Sequence, residues 1–457
     1  MTQGSADTPT TRLDGPIFGL HPIALIACYL GLALTPLALS ALQPLPAANF
    51  WRELSSGLVM VGFAMLLGQF LLSGRFRQIS GRVGIDLTMR FHQLAALTVL
   101  AFIVAHPLLF AVPRLEAGPG AALASLQRMF SSTGSRSGVI AWWLLILLVP
   151  LAVWRDRLPG PYELWRLSHG VGAALLAGLS AHHTLSVGTY SDDTWLAAFW
   201  VLLTGLALAS LAHVYLLKPL LQRRSPWRVA GNRSVADRMW EVTIEPGDGR
   251  GLEFAAGQFV WLNLGHSPFS LTEHPFSISS APAAGPRLAF TIKQSGDFTD
   301  RIGEVPPGTP AYLDGPHGTF TLQGRAAREL VLIAGGVGFA PVIGILRQLA
   351  LERHPHPVHL VYGNRVETQI LYRDEIEAME NKLDLSVDLV LSQPPPGWTG
   401  KVGELTQDML RRCLPSAAPE AHYFVCGPVA MMDSVEASLI AMGVAPGRIV
   451  SERFKYD

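Results

Sequence analysis

The stretch FHQLAALTVLAFIVAHP (residues 91–107) is almost entirely apolar, yet it carries His92 and His106 fourteen positions apart. An ionisable side chain inside a membrane helix is costly and therefore usually has a partner or a function. On an α-helix, fourteen residues advance about 21 Å and return to within roughly 40° of the starting face. The stretch therefore predicts a membrane-spanning helix with two imidazoles on one face, one toward each leaflet.

A second apolar stretch, YELWRLSHGVGAALLAGLSAHH (162–183), repeats this arrangement with His169 and then His182 or His183. Helical periodicity prefers His183, because a step of thirteen residues places a side chain about 140° away. Two facing histidines at each of two depths suit two six-coordinate haems, whose iron takes a neutral imidazole nitrogen on each axial side. The alternative is that these histidines only form hydrogen bonds between helices. Matched pairs at matched depths favour the haem interpretation.

The composition indicates a membrane part joined to a soluble part. Of 457 residues, 49% are hydrophobic and 15% are charged, and the mean hydropathy is +0.30. Such values are unusual for a wholly soluble protein. The formal net charge of zero gives no indication of nucleic-acid binding. Three cysteines without metal-ligand spacing argue against a disulfide framework or a zinc site: Cys28, Cys413 and Cys426.

Six apolar runs are long enough to cross a bilayer, which takes about 20 residues. Basic residues cluster in one set of loops and are scattered in the opposite set, so the positive-inside rule predicts that both termini face the cytoplasm. The clustered set is Arg75, Arg77, Arg82, Arg155, Arg157, Lys218, Arg223 and Arg224, and the scattered set is Arg52, Arg114, Arg128 and Arg136. We therefore expect an integral protein of the cell inner or plasma membrane. The predicted spans lie near residues 19–42, 54–73, 87–113, 137–154, 162–185 and 194–217.

After residue 225 the pattern changes. Short alternating segments such as MWEVTIEP (239–246) and QFVWLNL (258–264) lie between Gly/Pro turns, which predicts a small antiparallel β-barrel. From residue 329 strands alternate with helices, which predicts a parallel, Rossmann-like sheet. The predicted fold is a six-helix transmembrane bundle followed by an antiparallel β-barrel domain and a Rossmann-like α/β domain. The predicted domains are 1–222, 223–325 and 326–457.

HPFSISS (274–280) is a candidate flavin-binding segment, although the same letters also occur in an ordinary strand and turn. Pro275 fixes the backbone, Phe276 offers a flat apolar surface, and Ser277 carries a hydroxyl that can donate a hydrogen bond to a flavin ring nitrogen. His274 is placed to contact the pyrophosphate. The turn GDFT (296–299) suits phosphate oxygens. Three further residues are assigned to this cofactor site: Lys293, Gly296 and Thr299.

IAGGVGFAP (333–341) ends a buried strand and opens a helix, as a dinucleotide-binding loop does. YFVCGP (423–428) ends a later strand, so Cys426 is expected beside a nicotinamide ring; the alternative is a small buried thiol. Asn364 and Arg365 end the next strand after the glycine loop, where a ribose or 2′-phosphate would lie. Arg365 and Arg373 modestly favour NADPH over NADH. The other residues assigned to the dinucleotide are Gly335, Gly336, Gly338, Pro341, Gly427 and Pro428.

Taken together, these segments resemble the superfamily of transmembrane ferric reductases and NADPH oxidases over nearly the whole chain. The resemblance rests on the two histidine-bearing spans, HPFSIS, DGPHGTF (314–320), GGVGFAP, VCGP and SERF (451–454). It implies an enzyme that passes electrons from cytoplasmic NADPH or NADH to FAD, then to two b-type haems. The implied acceptor outside the cytoplasm is ferric iron or O₂. A different expectation is a subunit that delivers electrons to a periplasmic protein or a quinone.

The resemblance also implies ligands and a catalytic aromatic. His92 with His169 would hold the inner haem, and the family's usual thirteen-residue step would pair His106 with His182 at the outer haem. Phe454 matches the terminal aromatic that covers the flavin until nicotinamide displaces it. Three further residues, Lys-Tyr-Asp, follow it in this chain.

Overall fold

The computed structural model describes residues 19–46, 48–325, 329–414 and 420–453. The chain divides near residue 220 into two compact units. The first is helical and the second contains two β-sheets. Each is described by itself.

Among the described residues, the helical unit contains long helices joined by turns and by shorter helices. Side chains cap the starts of helices at three places in the described residues of this unit. Asn49 accepts a hydrogen bond from the amide of Arg52, Asp193 from the amides of Trp195 and Leu196, and Nδ1 of His21 from the amide of Ile23. The helices are α1 (Pro22–Ala41), α2 (Phe50–Gly68), α3 (Arg77–Val83), α4 (Ile85–Ala111), α5 (Pro119–Ser131), α6 (Arg136–Val153), α7 (Tyr162–Val187), α8 (Thr194–Ala212) and α9 (Lys218–Gln222).

Five of the described helical stretches are long and apolar enough to cross a membrane: Pro22–Ala41, Phe50–Gly68, Ile85–Ala117, Arg136–Val153 and Thr194–Gln222. They correspond to five of the six predicted spans. The remaining prediction falls on α7, whose 26 residues measure about 39 Å. Histidine, serine and glycine make α7 less apolar than the others. Its role as a sixth span stays a prediction, as do six spans in total and the side on which each terminus lies.

The first sheet is an antiparallel half-barrel with strand order β4-β3-β6-β1-β2-β5. Alternating residues of its strands fill one core, which includes Val242, Ile244, Leu262 and Phe290. The predicted antiparallel β-sheet domain is therefore confirmed, in the form of a half-barrel. Its strands are β1 (Trp227–Ala236), β2 (Met239–Pro246), β3 (Phe259–Leu264), β4 (His274–Ser277), β5 (Leu288–Lys293) and β6 (Pro310–His317).

The second sheet is parallel throughout, with strand order β10-β9-β8-β7-β11-β12. Helices α10 and α11 cover one face, while α12 and α13 cover the other. The predicted parallel sheet is therefore confirmed. Its elements are β7 (Leu330–Gly335), α10 (Phe339–Glu352), β8 (Val358–Asn364), α11 (Arg373–Glu380), β9 (Leu385–Leu391), β10 (Lys401–Val402), α12 (Gln407–Cys413), β11 (His422–Cys426), α13 (Val429–Ala441) and β12 (Ile449–Ser451).

A buried ionic network joins the two sheets. Arg347 of α10 donates to Glu375 at 2.7 Å, to Glu241 of β2 at 3.1 Å and to the carbonyl of Ser279 at 2.8 Å. Tyr372 also donates to Glu241, at 2.6 Å. Burial alone would raise the pKa of the Glu241 carboxyl, but the hydrogen bond from Tyr372 and the charge of Arg347 lower it. Glu241 therefore stays ionised between the sheets.

Replacement of Arg347 by Met should destabilise the protein by about 1.5–3 kcal/mol, because Glu241 and Glu375 lose their hydrogen bonds to its guanidinium. The ion pair of Glu241 with Arg233 remains in the variant. Thermal unfolding of the full-length protein in detergent measures the effect. Since the pKa of Glu241 is lowered in the folded state, the stability that this carboxylate contributes is present at neutral pH and is lost as the pH falls through its folded pKa. The difference between wild type and variant should shrink accordingly.

The matched control is Arg373→Met, because the ion pairs of Arg373 with Glu367 and Glu377 are largely solvent-exposed. Loss of these pairs should change the free energy of unfolding by less than about 1 kcal/mol. Equal destabilisation by the two substitutions would contradict a special role for the buried network.

Candidate functional site

The histidines of α4 and α7 lie in two pairs. The side chains of His92 and His169 are close enough for their charges to interact, and so are those of His106 and His183. All four rings are half-buried. The Nδ1 atoms of His169 and His183 are buried and have no hydrogen-bond partner among the residues that the structure describes. The pairing at two levels agrees with the predicted depth of these residues in their helices.

His182 has a different environment from His183. Its side chain is exposed, and its Nδ1 lies 2.9 Å from the hydroxyl of Ser137. The ring of His183 instead packs against Gly138 of α6, where an added Cβ would lie 2.5 Å from Nδ1 of His183. The structure thus brings His106 together with His183 rather than with His182. The identity of the fourth metal ligand itself stays a prediction.

The residues present fit a planar cofactor between α4 and α7. Helix α4 packs mainly against α2 and α6, and α7 mainly against α6 and α8, while α4 and α7 themselves make little direct contact. The described residues contain no group of three or more His, Cys, Asp or Glu side chains suited to a metal ion. Paired imidazoles across a gap instead match a group such as haem, which brings its own four equatorial nitrogens.

The predicted flavin segment forms β4 and pairs with β3. The ring of His274 stacks on Phe298, with centroids 4.4 Å apart, and Phe276 lies 6.3 Å from the same ring. Ser277 is buried. The structure therefore brings HPFS and GDFT together through Phe298. This residue was overlooked in the sequence, although the quoted GDFT motif contains it.

The turn after β5 has a defined local structure. Gly296 has φ +108°, a left-handed conformation that favours glycine. The hydroxyl of Thr299 accepts a hydrogen bond from the amide of Ser295 at 2.8 Å, and Lys293 ends β5 with an exposed side chain. These contacts fix the turn. Whether Lys293, Gly296 and Thr299 contact phosphate oxygens stays a prediction.

The glycines of the predicted dinucleotide loop allow a close approach between β7 and β11. A Cβ on Gly338 would lie 2.6 Å from the carbonyl oxygen of Cys426, and one on Gly335 would overlap Met431. Gly336 adopts φ +53°. GGVGFAP, with Pro341 in the first turn of α10, and VCGP, with Gly427 and Pro428, thus meet at the carboxyl ends of neighbouring strands. This is where open α/β sheets bind ligands.

Cys426 is 2% exposed. Burial, reinforced by the nearby Glu452, raises the pKa of its thiol, which therefore stays protonated. Glu452 is itself buried and accepts a hydrogen bond from the amide of Thr319 at 3.1 Å. The segments VCGP, SERF and DGPHGTF consequently converge. Glu452 was not predicted as a site residue, although it lies in the quoted SERF segment, and Phe454 falls outside the described residues.

Asn364 ends β8 and is buried, and Arg365 follows it with an exposed side chain. Both lie at the carboxyl edge of the parallel sheet, beside the strand that leads into the glycine loop. This is the position expected for residues near a ribose. The preference for NADPH over NADH stays a prediction.

Three family models match the chain. The ferric reductase like transmembrane component matches residues 58–180, an FAD-binding domain matches 233–309, and an oxidoreductase NAD-binding domain matches 332–437. The predicted flavin and dinucleotide domains are therefore confirmed as FAD-binding and NAD-binding domains. Residues 58–180 include His92, His106 and His169.

Curated relatives match the second unit. Ferredoxin–NADP reductase B of Sorangium cellulosum is 31% identical over 235 residues, which is 50% of this chain and 96% of that protein. NADH-cytochrome b5 reductase 1 of Kluyveromyces lactis is 30% identical over 181 residues, 39% of this chain and 64% of its own length. Among solved structures, the ferredoxin reductase in carbazole 1,9a-dioxygenase is 23% identical, with a TM-score of 0.45, covering 50% of this chain and 68% of that one.

The chain belongs to the ferric reductase and NADPH oxidase superfamily, and its second unit is a ferredoxin reductase-type FAD/NAD(P)H module. It is an NAD(P)H-dependent oxidoreductase with a ferric reductase-like transmembrane part.

Replacement of Gly338 by Ala should weaken NADPH binding about ten-fold, equivalent to about 1.4 kcal/mol, because the new methyl group meets the backbone of Cys426. The dependence of the FAD reduction rate on NADPH concentration measures this change. Gly447→Ala is the control, since no described atom lies within 4 Å of the Cβ that it adds. Unchanged NADPH affinity in Gly338→Ala, with FAD content preserved, would contradict this assignment of the loop.

Proposed function

We propose that this protein transfers electrons from cytoplasmic NAD(P)H through FAD and two b-type haems to ferric iron or O₂ on the opposite side of the membrane. The observation that carries the proposal is the pairing of histidines between α4 and α7 in a chain that also contains FAD-binding and NAD-binding domains. When bound, haem would supply one-electron transfer. FAD can accept the two electrons of a hydride from NAD(P)H and give them up one at a time.

The haem ligands that we propose are His92 with His169 on the cytoplasmic side and His106 with His183 on the outer side. Two observations support His183 over His182. The step from His169 to His183 equals the fourteen-residue step from His92 to His106, and His183 rather than His182 interacts with His106. The resemblance to the family supports His182 instead. We include α7 as the sixth span, with both termini cytoplasmic.

In the second unit, each segment has a proposed role. The β7–α10 loop binds the pyrophosphate of NAD(P)H with its backbone amides. Cys426 and Glu452 lie where the nicotinamide would meet the flavin, and the protonated thiol is a neutral surface for that ring. His274, Phe276 and Ser277 bind FAD. Phe454, outside the described residues, would cover the flavin when nicotinamide is absent.

Anaerobic reduction of the purified full-length protein by NADPH, followed by visible spectroscopy, tests the proposal. The wild type should show reduced flavin and then the absorbance of two bis-imidazole haems. His106→Ala and His183→Ala should each lose one haem, and His182→Ala should keep both. Loss of a haem in His182→Ala but not in His183→Ala would exchange the two assignments. Flavin reduction in a protein that never contains haem would reject the transmembrane electron path.

The acceptor is tested in the same preparation. Ferric citrate or O₂, added singly to the reduced protein, should reoxidise the haems within the time of catalytic turnover. Ferric reduction that persists under anaerobic conditions identifies a ferric reductase, and superoxide formation identifies an oxidase. If neither acceptor reoxidises the haems until a periplasmic protein or a quinone is supplied, the proposal fails for the acceptor and the electron-delivery alternative is correct.

A further inference from the structure

We propose that Ser55 is a positioning residue for the outer haem ligand His106, an inference that rests on the proposed function. Ser55 lies on α2, and its solvent exposure is 0%. Its hydroxyl oxygen lies 2.8 Å from Nδ1 of His106 and 2.9 Å from the carbonyl oxygen of His106, and its own carbonyl oxygen lies 3.3 Å from the same Nδ1. One side chain thus contacts both the ring and the backbone of the proposed ligand.

These contacts determine the direction of each hydrogen bond. A carbonyl oxygen only accepts, so the single hydroxyl proton of Ser55 is donated to the carbonyl of His106. The hydroxyl oxygen is then left to accept, and the neighbouring carbonyl of Ser55 also only accepts. The proton of the neutral imidazole must therefore reside on Nδ1. The lone pair remains on Nε2, which is the tautomer that ligates iron through Nε2.

The backbone around His106 is held from a second side. Pro107 has no amide proton, so it deprives the carbonyl of Ile103, four residues earlier, of its helical donor. The indole nitrogen of Trp142 on α6 donates to this carbonyl at 3.1 Å. Ser55 on α2 and Trp142 on α6 together fix the turn of α4 from which His106 projects. Rotation of the His106 side chain about its Cα–Cβ bond is consequently restricted before any ligand binds.

The inference has an electronic consequence. An imidazole that donates its Nδ1 proton to an acceptor becomes a more basic ligand, which favours ferric over ferrous iron. Removal of the Ser55 hydroxyl leaves only the longer contact to the backbone carbonyl. The midpoint potential of the haem held by His106 should therefore rise, while that of the haem held by His92 should not change.

Spectroelectrochemical titration of the full-length protein in detergent, with EPR of the ferric state, tests this prediction. Ser55→Ala and the similarly sized Ser55→Cys should keep two haems per FAD but shift one midpoint potential upward and alter one low-spin signal. Ser55→Thr, which keeps the hydroxyl, should retain the wild-type midpoint potential and the wild-type EPR signal. The control Ser210→Ala should match wild type, because among the described residues the buried hydroxyl of Ser210 bonds only the carbonyl of Ala207 in its own helix.

Two unchanged potentials and unchanged EPR signals in Ser55→Ala and Ser55→Cys would overturn the inference, as would an equal shift in Ser210→Ala. If Ser55→Ala loses one haem, recovery of that haem and its potential in Ser55→Thr supports positioning, and no recovery refutes it. The proposed function fails differently: the wild type would then contain no haem, or His106→Ala would still contain two.

Discussion

An imidazole inside an apolar helical bundle needs a partner for its polar nitrogens, and this requirement accounts for the arrangement of the helical unit. The histidines recur at fourteen-residue steps, so those of α4 project from one face and so do His169 and His183 of α7. They lie in two pairs, while the two helices pack mainly against α2, α6 and α8 rather than against each other. Ser55 adds a hydrogen bond that defines one tautomer. A bound porphyrin between α4 and α7 would satisfy all of these features together.

The second unit depends on the close approach of loops that are distant in sequence. Gly338 permits contact with the backbone of Cys426 because it has no side chain, and Glu452 reaches the amide of Thr319 from the far end of the chain. The ionic network around Arg347 joins the half-barrel, which carries the flavin segment, to the parallel sheet, which carries the dinucleotide loop. Hydride transfer requires a fixed geometry, because small displacements of the reacting groups slow it strongly.

Local sequence patterns were sufficient to predict the classes of secondary structure. They were not sufficient to predict contacts between segments that are distant in sequence. Strand alternation and the strand–helix alternation after residue 329 predicted both sheets, since these periodicities reflect burial on one or two faces. Phe298, Glu452 and Arg347 were missed as site or interface residues because their partners lie far away in sequence. Periodicity preferred His183 and the family resemblance preferred His182, and no local pattern decides between them. Histidine, serine and glycine residues lower the hydropathy of α7, so its spanning role remains a prediction.

On the proposed function, each histidine pair holds one haem. The haem-to-FAD ratio of the purified full-length protein, expressed with haem supplied and measured together with low-temperature EPR of the ferric state, tests it most directly. We expect two haems per FAD and two low-spin signals of the bis-imidazole type. A protein with full FAD content but one haem, no haem, or high-spin iron alone would contradict it.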